Sequence, residues 1–221
     1  MIKNLAKQII KFFFPRFIFN CGAKNFIVGS NNSFLHKTGW MRSLKEGKPV
    51  DEDGYSLPWL NYSVIELFRN LGKNDFHLFE WGSGHRTLFF ARLFKTVTSV
   101  EHDSTWLQYV KHRAPENVEL ILKRSDTDGE YCRAIKNTGL RYDCIIIDGQ
   151  DRYNCIIQAL QTLSDVGVVV VDNTNRDKLP QLDSLTIPQG FRRLTLSNMK
   201  PLRNSRYTAT ILYREKNIFG V

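Results

Sequence analysis

Residues 75–103, DFHLFEWGSGHRTLFFARLFKTVTSVEHD, decide how this chain reads. Phe76, Leu78 and Phe79 make a short apolar run that closes on Glu80, and Gly82-Ser83-Gly84 follows at once. Thr87 to Phe94, TLFFARLF, holds good helix formers and few breakers. Val97 to Val100 is apolar and largely β-branched, and it ends on Glu101. Strand, glycine turn, helix and strand make one βαβ unit, whose right-handed crossover sets the two strands parallel. The glycines permit a tight turn and a close backbone approach, and the helix start offers unpaired N–H groups at a positive dipole end. An acid roughly 20 residues beyond the glycines, at the tip of the next strand, is placed to hydrogen-bond a ribose diol. The pattern predicts a nucleoside site.

A dinucleotide fingerprint asks for a third glycine, but Thr87 stands at that position. Glu80, just before the turn, is badly placed beside a pyrophosphate and suits a cationic amino-acid ligand. E-W-G-S-G followed by the strand-final Glu101 resembles motif I and the next acidic strand end of class I S-adenosylmethionine (SAM)-dependent methyltransferases. That resemblance implies a Rossmann-like fold, α/β and doubly wound, with a mostly parallel seven-stranded sheet and an antiparallel edge hairpin. It also implies SAM as cofactor. Glu80 would lie near its methionine end, Gly82, Ser83 and Gly84 would pass beneath it, and Glu101 would hold its ribose. Asp126, after the third strand, would contact the adenine; Asp126 to Gly129 also reads as an ordinary polar turn.

The remaining chain falls into order around this unit. Residues 1–62 are expected to be an N-terminal helix and an irregular cap segment, and residues 63–221 the Rossmann-like domain. Residues 1–20 are basic and apolar, but Lys3, Lys7, Lys11 and Arg16 interrupt any run long enough to span a bilayer. They read as a helix packed on the domain or as an interfacial helix on an anionic membrane, and Pro15 breaks either one early. Pro49, Gly54 and Pro58 exclude a long helix in the segment that follows, whose aromatic residues are Trp40, Tyr55, Trp59 and Tyr62. Ser63 reads as the N-cap of a helix over 64–71 that Gly72 ends. A helix over 106–112, strands over 118–122 and 142–149, a helix over 152–163 and a strand over 166–171 come next. Two final strands, 191–196 and 207–213, have no helix between them and so predict a hairpin at the sheet edge.

Asp148 follows the fourth strand and Asp172-Asn173 the fifth, so three oxygen-bearing side chains arrive at neighbouring strand ends, where α/β sites sit. The set resembles the metal site of catechol and caffeoyl-CoA O-methyltransferases, which implies a divalent cation, Mg²⁺, held by Asp148, Asp172 and Asn173. One departure is that those enzymes carry a lysine just after the first acid, where this chain has Asp151 and Arg152. Asp148 and Asp151 are the candidate bases, with His85 and His102 behind them. Two alternatives to the metal stand beside it: the acids cap strands and helices, or arginines such as Arg152 and Arg176 neutralise them.

Two hundred and twenty-one residues, 42% hydrophobic, suffice for one α/β domain with a sizeable core. Cys21, Cys132, Cys144 and Cys155 show no metal or redox spacing and read as reduced thiols of a cytoplasmic protein. The net charge of +9 is spread along the chain without a basic–aromatic motif, so a small-molecule acceptor is expected rather than nucleic acid. The sequence thus reads as a SAM-dependent methyltransferase acting on an oxygen of a small hydroxylated acceptor such as a sugar. An NAD-dependent oxidoreductase and a non-catalytic membrane-associated protein of the same fold are the alternatives. The first lacks its third glycine; the second would rest on residues 1–20.

Overall fold

The computed structural model describes residues 31–174 and 187–221, in two units that meet at the Tyr55–Ser56 junction. The predicted helix within residues 1–20, Cys21 and Arg176 lie outside the described residues. In the first unit, residues 40–46, which read as irregular in the sequence, form a short helix. Here α1 is Phe34–Lys37 and α2 is Trp40–Glu46. Ser43 on α2 is buried, and its hydroxyl donates to the Val50 carbonyl (2.8 Å) while accepting from the Val50 N–H (2.9 Å). That pair folds the glycine- and proline-containing stretch back onto the helix that precedes it.

The second unit is built on one sheet. Its strands are β1 (His77–Trp81), β2 (Thr96–Glu101), β3 (Val118–Leu122), β4 (Tyr142–Ile147), β5 (Leu163–Val171), β6 (Phe191–Asn198) and β7 (Tyr207–Arg214). They lie in the order β3-β2-β1-β4-β5-β7-β6. The first five are parallel, while β7 inserts antiparallel between β5 and β6. The chain order reverses between β1 and β4, so the crevice at the carboxyl ends of those strands is the topological switch point. Strands β1, β4 and the end of β5 are almost wholly buried, as continuous apolar runs in a parallel sheet should be. Phe79, Trp81, Tyr142, Ile145, Ile147 and Val169 meet in the core there.

Helices α3 (Tyr62–Leu71), α4 (His85–Phe90), α5 (Ser104–Lys111), α6 (Glu130–Arg133) and α7 (Arg152–Thr162) cover the sheet. Three of these helices depart from the sequence reading at their ends. Helix α4 begins at His85, directly after the glycine turn, and ends at Phe90. Beyond it Leu93 and Phe94 both donate to the Phe90 carbonyl, so the last turn tightens instead of continuing. Asp103 is the N-cap of α5, accepting from Thr105 and Trp106 N–H, and so lengthens that helix toward its N-terminus. Among the described residues no helix is long and apolar enough to cross a membrane.

The third correction concerns α3. Its N-cap is Asn61, not Ser63: the Asn61 side-chain oxygen accepts from the Val64 N–H at 3.1 Å. The Asn61 amide reaches the other way, to the carbonyls of Leu196 (3.1 Å) and Tyr207 (3.4 Å) in the terminal hairpin. Ser63 instead accepts from Asn198 (3.1 Å), and Tyr62 N–H donates to the Met199 carbonyl (3.0 Å). Asparagine supplies an acceptor for the cap and donors for the hairpin, which serine cannot do at once. Asn61→Ala should therefore destabilise the protein by about 2–3 kcal/mol in urea, the sum of a lost cap and stranded buried carbonyls. Asn61→Asp, keeping the cap alone, should fall between; a loss below about 0.5 kcal/mol for the alanine variant would contradict the tie.

Candidate active site

The loop after β1 turns on Gly82, whose φ of 89° suits glycine. A Cβ at Gly82 would meet the Arg86 guanidinium at 2.6 Å, whereas one at Gly84 would meet the Trp106 indole at an ordinary 3.6 Å. The close approach that requires glycine is thus at Gly82. Arg86, in the first turn of α4, is 7% exposed and folds back under the loop. Its Nε donates to Glu80 Oε2 (2.9 Å) and to the Gly82 carbonyl (3.1 Å). One terminal nitrogen donates to the carbonyls of Trp81 and Gly82, and the other to Asp148 Oδ2. Glu80 is fully buried beneath the loop, its second oxygen accepting from the Thr87 hydroxyl. Burial pushes the Glu80 carboxyl up, and Arg86 and Thr87 pull against that rise. Thr87 Oγ also accepts from the Gly84 N–H (2.9 Å), so the residue standing in place of a third glycine fastens the turn.

Glu101, at the end of β2, faces this loop. Its Oε2 accepts from Ser83 N–H (2.9 Å) and Ser83 Oγ (3.1 Å), and its Oε1 from the N–H groups of His102 (2.7 Å) and Asp103 (3.0 Å). The His102 ring stands 2.8 Å from Oε1 as well. A ribose diol would take the place of the Ser83 hydroxyl and the His102 ring on Glu101, while the backbone donors stay. The residues therefore fit a nucleoside cofactor. On α5, Trp106 Nε1 donates to the Ser83 carbonyl (2.9 Å) and the indole stacks on Tyr109, ring centroids 4.8 Å apart. This holds the loop from its outer side.

Asp148, Asp172 and Asn173 do come together at the ends of β4 and β5. Asn173 Nδ2 donates to Asp172 Oδ2 (3.1 Å) and lies 3.5 Å from Asp148 Oδ1. Cations have taken the rest of the set. Arg152 donates to Asp148 Oδ1 (2.9 Å) and Arg86 to Oδ2. Lys200, 1% exposed, donates to Asp172 Oδ2 and to Asn173 Oδ1 (3.0 Å). Of the oxygens of this set, Asp172 Oδ1 alone is buried without a hydrogen-bond partner among the described residues. A divalent cation needs several oxygens facing one point, and here all but one point at a nitrogen cation or an amide. The donor set does not fit Mg²⁺, and no cluster of three or more His, Cys, Asp or Glu among the described residues does so elsewhere. Burial tends to raise the Asp148 carboxyl, but Arg86 and Arg152 overcome it and hold it below its ordinary value. Asp172 is pushed up to about 6 by burial and by Asp148 beside it, against the pull of Lys200.

The remaining sequence candidates stand apart from this cluster. Asp126 caps α6, accepting from Glu130 N–H (2.8 Å) and Tyr131 N–H (3.1 Å). Asp151 precedes α7 with a φ of 45° and accepts from Asp128 N–H (2.8 Å) and from Asn154 (2.8 Å). Arg86 and Lys200 were not anticipated. Arg86 carried a signal, since an arginine at the positive end of a helix is unfavourable unless acids surround it. Lys200, in the turn after β6, carried none, because only the hairpin's return beside β5 brings it to this edge.

Arg86→Met should cost about 3–5 kcal/mol in urea unfolding, because it leaves Glu80 and Asp148 without their shared buried cation. Adding Glu80→Gln should recover part of that loss. A single-variant loss under about 1 kcal/mol would contradict the clamp.

No family model and no curated protein matches this sequence. Solved structures do. A provisionally assigned O-methyltransferase from Klebsiella pneumoniae aligns with a TM-score of 0.57 at 16% identity, covering 79% of this chain and 89% of its own. An rRNA methylase from Streptococcus thermophilus aligns at 0.53 with 18% identity, over 67% and 92% of the two chains. The O-methyltransferase TomG from Streptomyces achromogenes, solved with SAM, aligns at 0.51 with 14% identity, over 62% and 72%. The chain has the fold of the class I SAM-dependent methyltransferases, as its glycine turn and strand-final acid led one to expect.

Proposed function

We propose that this protein transfers the methyl group of SAM to an oxygen of a small hydroxylated acceptor such as a sugar. The observation that carries the reading is the pairing of a glycine turn at the switch point with a strand-final carboxylate, Glu101, that faces it. Gly82, Ser83 and Gly84 would lie against the cofactor, and Glu101 would take its ribose diol. Glu80 supports them from below through Arg86 and Thr87. The dinucleotide alternative is disfavoured because Thr87 uses its hydroxyl on Gly84 N–H and Glu80, which closes the turn without the third glycine.

SAM supplies an electrophilic methyl on a sulfonium, and the chain must orient a hydroxyl in line with it and receive the proton. Asp148, 16% exposed as a side chain, is the acid of the cluster best placed to accept a hydroxyl's hydrogen bond. Held below its ordinary value by two arginines, it is ionised at neutral pH and weakly basic. A weak base suffices, because a hydroxyl oxygen gaining a methyl becomes strongly acidic. Asp151 would act as a support, tying the turn at Asp128 to the start of α7. The buried free thiols Cys132, Cys144 and Cys155 support a reducing, cytoplasmic setting.

Glu101→Gln should weaken SAM binding by calorimetry about 10- to 150-fold, the loss of a charge-assisted bond. An unchanged affinity would remove Glu101 from the site. Methyl-labelled SAM, offered with sugars, phenols and RNA, tests the acceptor. Label in the hydroxylated small molecules is the expected result, and label in RNA alone would reassign the acceptor.

A further inference from the structure

Three carboxylate or amide side chains converge where related O-methyltransferases are expected to hold a cation, yet the point they share is filled from within the chain. Lys200 Nζ reaches Asp172 and Asn173 together, and it lies 5.0 Å from the Tyr207 ring centroid. Its position is fixed on several sides. Met199 is tied to α3 through the Tyr62 N–H, the Lys200 carbonyl accepts from Arg203 N–H (3.1 Å), and Leu202 closes the turn at a φ of 65°. A long, flexible side chain buried in this way loses its rotamer freedom, and its charge is carried out of water. The ion pair with Asp172 and the bond to Asn173 offset that cost.

We propose that Lys200 is a positioning residue serving as the built-in cation of this site, occupying the place a divalent metal would take and making methyl transfer by this chain metal-independent. The inference rests on the methyltransferase reading above. An ammonium and a Mg²⁺ ion exclude one another here. Both need Asp172 and Asn173 oxygens, and two cations held a few ångströms apart in a buried pocket repel strongly. Lysine also brings its charge wherever the chain folds, so the acids are paired before any ligand arrives. Removing the ammonium should leave behind the oxygens of a cation site: both Asp172 oxygens and Asn173 Oδ1.

The test uses Mn²⁺ as the probe, followed by its electron paramagnetic resonance signal. Wild type should leave the free-ion signal unchanged. Lys200→Ala should bind about one Mn²⁺ per chain, at least tenfold more tightly than wild type, with a rise in melting temperature on adding the ion. Lys200→Ala combined with Asp172→Asn should lose that binding. A lysine that merely packs would lower stability without creating a metal site. Should Lys200→Ala not fold, Lys200→Ser, which keeps a small polar group, is measured in the same way. The wild-type arm stands by itself: Mn²⁺ retained by wild type and lost in Asp172→Asn overturns the proposal, as does a folded lysine variant that binds none. Wild type that retains no Mn²⁺ supports it. SAM binding by wild type in chelator is measured alongside, and its absence would sink the methyltransferase reading without touching the Mn²⁺ result.

Discussion

Arg86 lies between two carboxylates that leave neighbouring strands, Glu80 from β1 and Asp148 beyond β4, and it also donates to the carbonyls of the turn between β1 and α4. A guanidinium presents its donors in one plane, and here all three of its nitrogens donate to the walls of the switch point. The glycine at position 82 is needed because this side chain runs across it. The Gly84 N–H, the Thr87 hydroxyl and Glu80 then form a second tie on the other side of the loop. The glycine loop is thus shaped from beneath by an ion pair rather than by helix dipole alone, which a six-residue α4 would supply only weakly. Burying these charges is costly, so the arrangement holds only because each one is paired.

Pairing also sets the electrostatics at the ends of β4 and β5. Asp148 shares Arg86 and Arg152, and Asp172 shares Lys200. The two acids are driven apart in proton affinity: Asp148 below its ordinary value and Asp172 above it. Groups whose surroundings push them apart can divide labour, one staying ionised to accept a hydrogen bond and the other resting in the floor. With Glu80, which Arg86 shares with Asp148, three cations face three carboxylates at this edge of the sheet.

Much of this was written in local sequence, and some of it was not. The βαβ unit from His77 to Glu101 follows from apolar runs and a glycine turn, and the structure places Ser83 against Glu101 as such a unit requires. The terminal hairpin followed from two strands without a helix between them, and β7 is the antiparallel strand. Element ends were less legible. Asn61 rather than Ser63 caps α3 because its amide has partners more than a hundred residues away. Helix α6 is capped by Asp126, a residue that a polar turn explains equally well until the following N–H groups are seen to point at it. The convergence of Asp148, Asp172 and Asn173 was predictable from strand order. Their neutralisation was not, since Lys200 reaches them only through the hairpin's return and Arg86 only through the fold of α4. Acids reveal themselves at strand ends; the cations that answer them come from anywhere.

The proposed function stands on SAM binding at the carboxyl edge between β1 and β4. Equilibrium dialysis of labelled SAM against the purified full chain, competed with S-adenosylhomocysteine and separately with NAD, tests it directly. Saturable binding of one SAM per chain, displaced by S-adenosylhomocysteine and untouched by NAD, is the expected result. Retention of NAD with no saturable SAM binding would contradict it and return the glycine turn to the dinucleotide-binding enzymes.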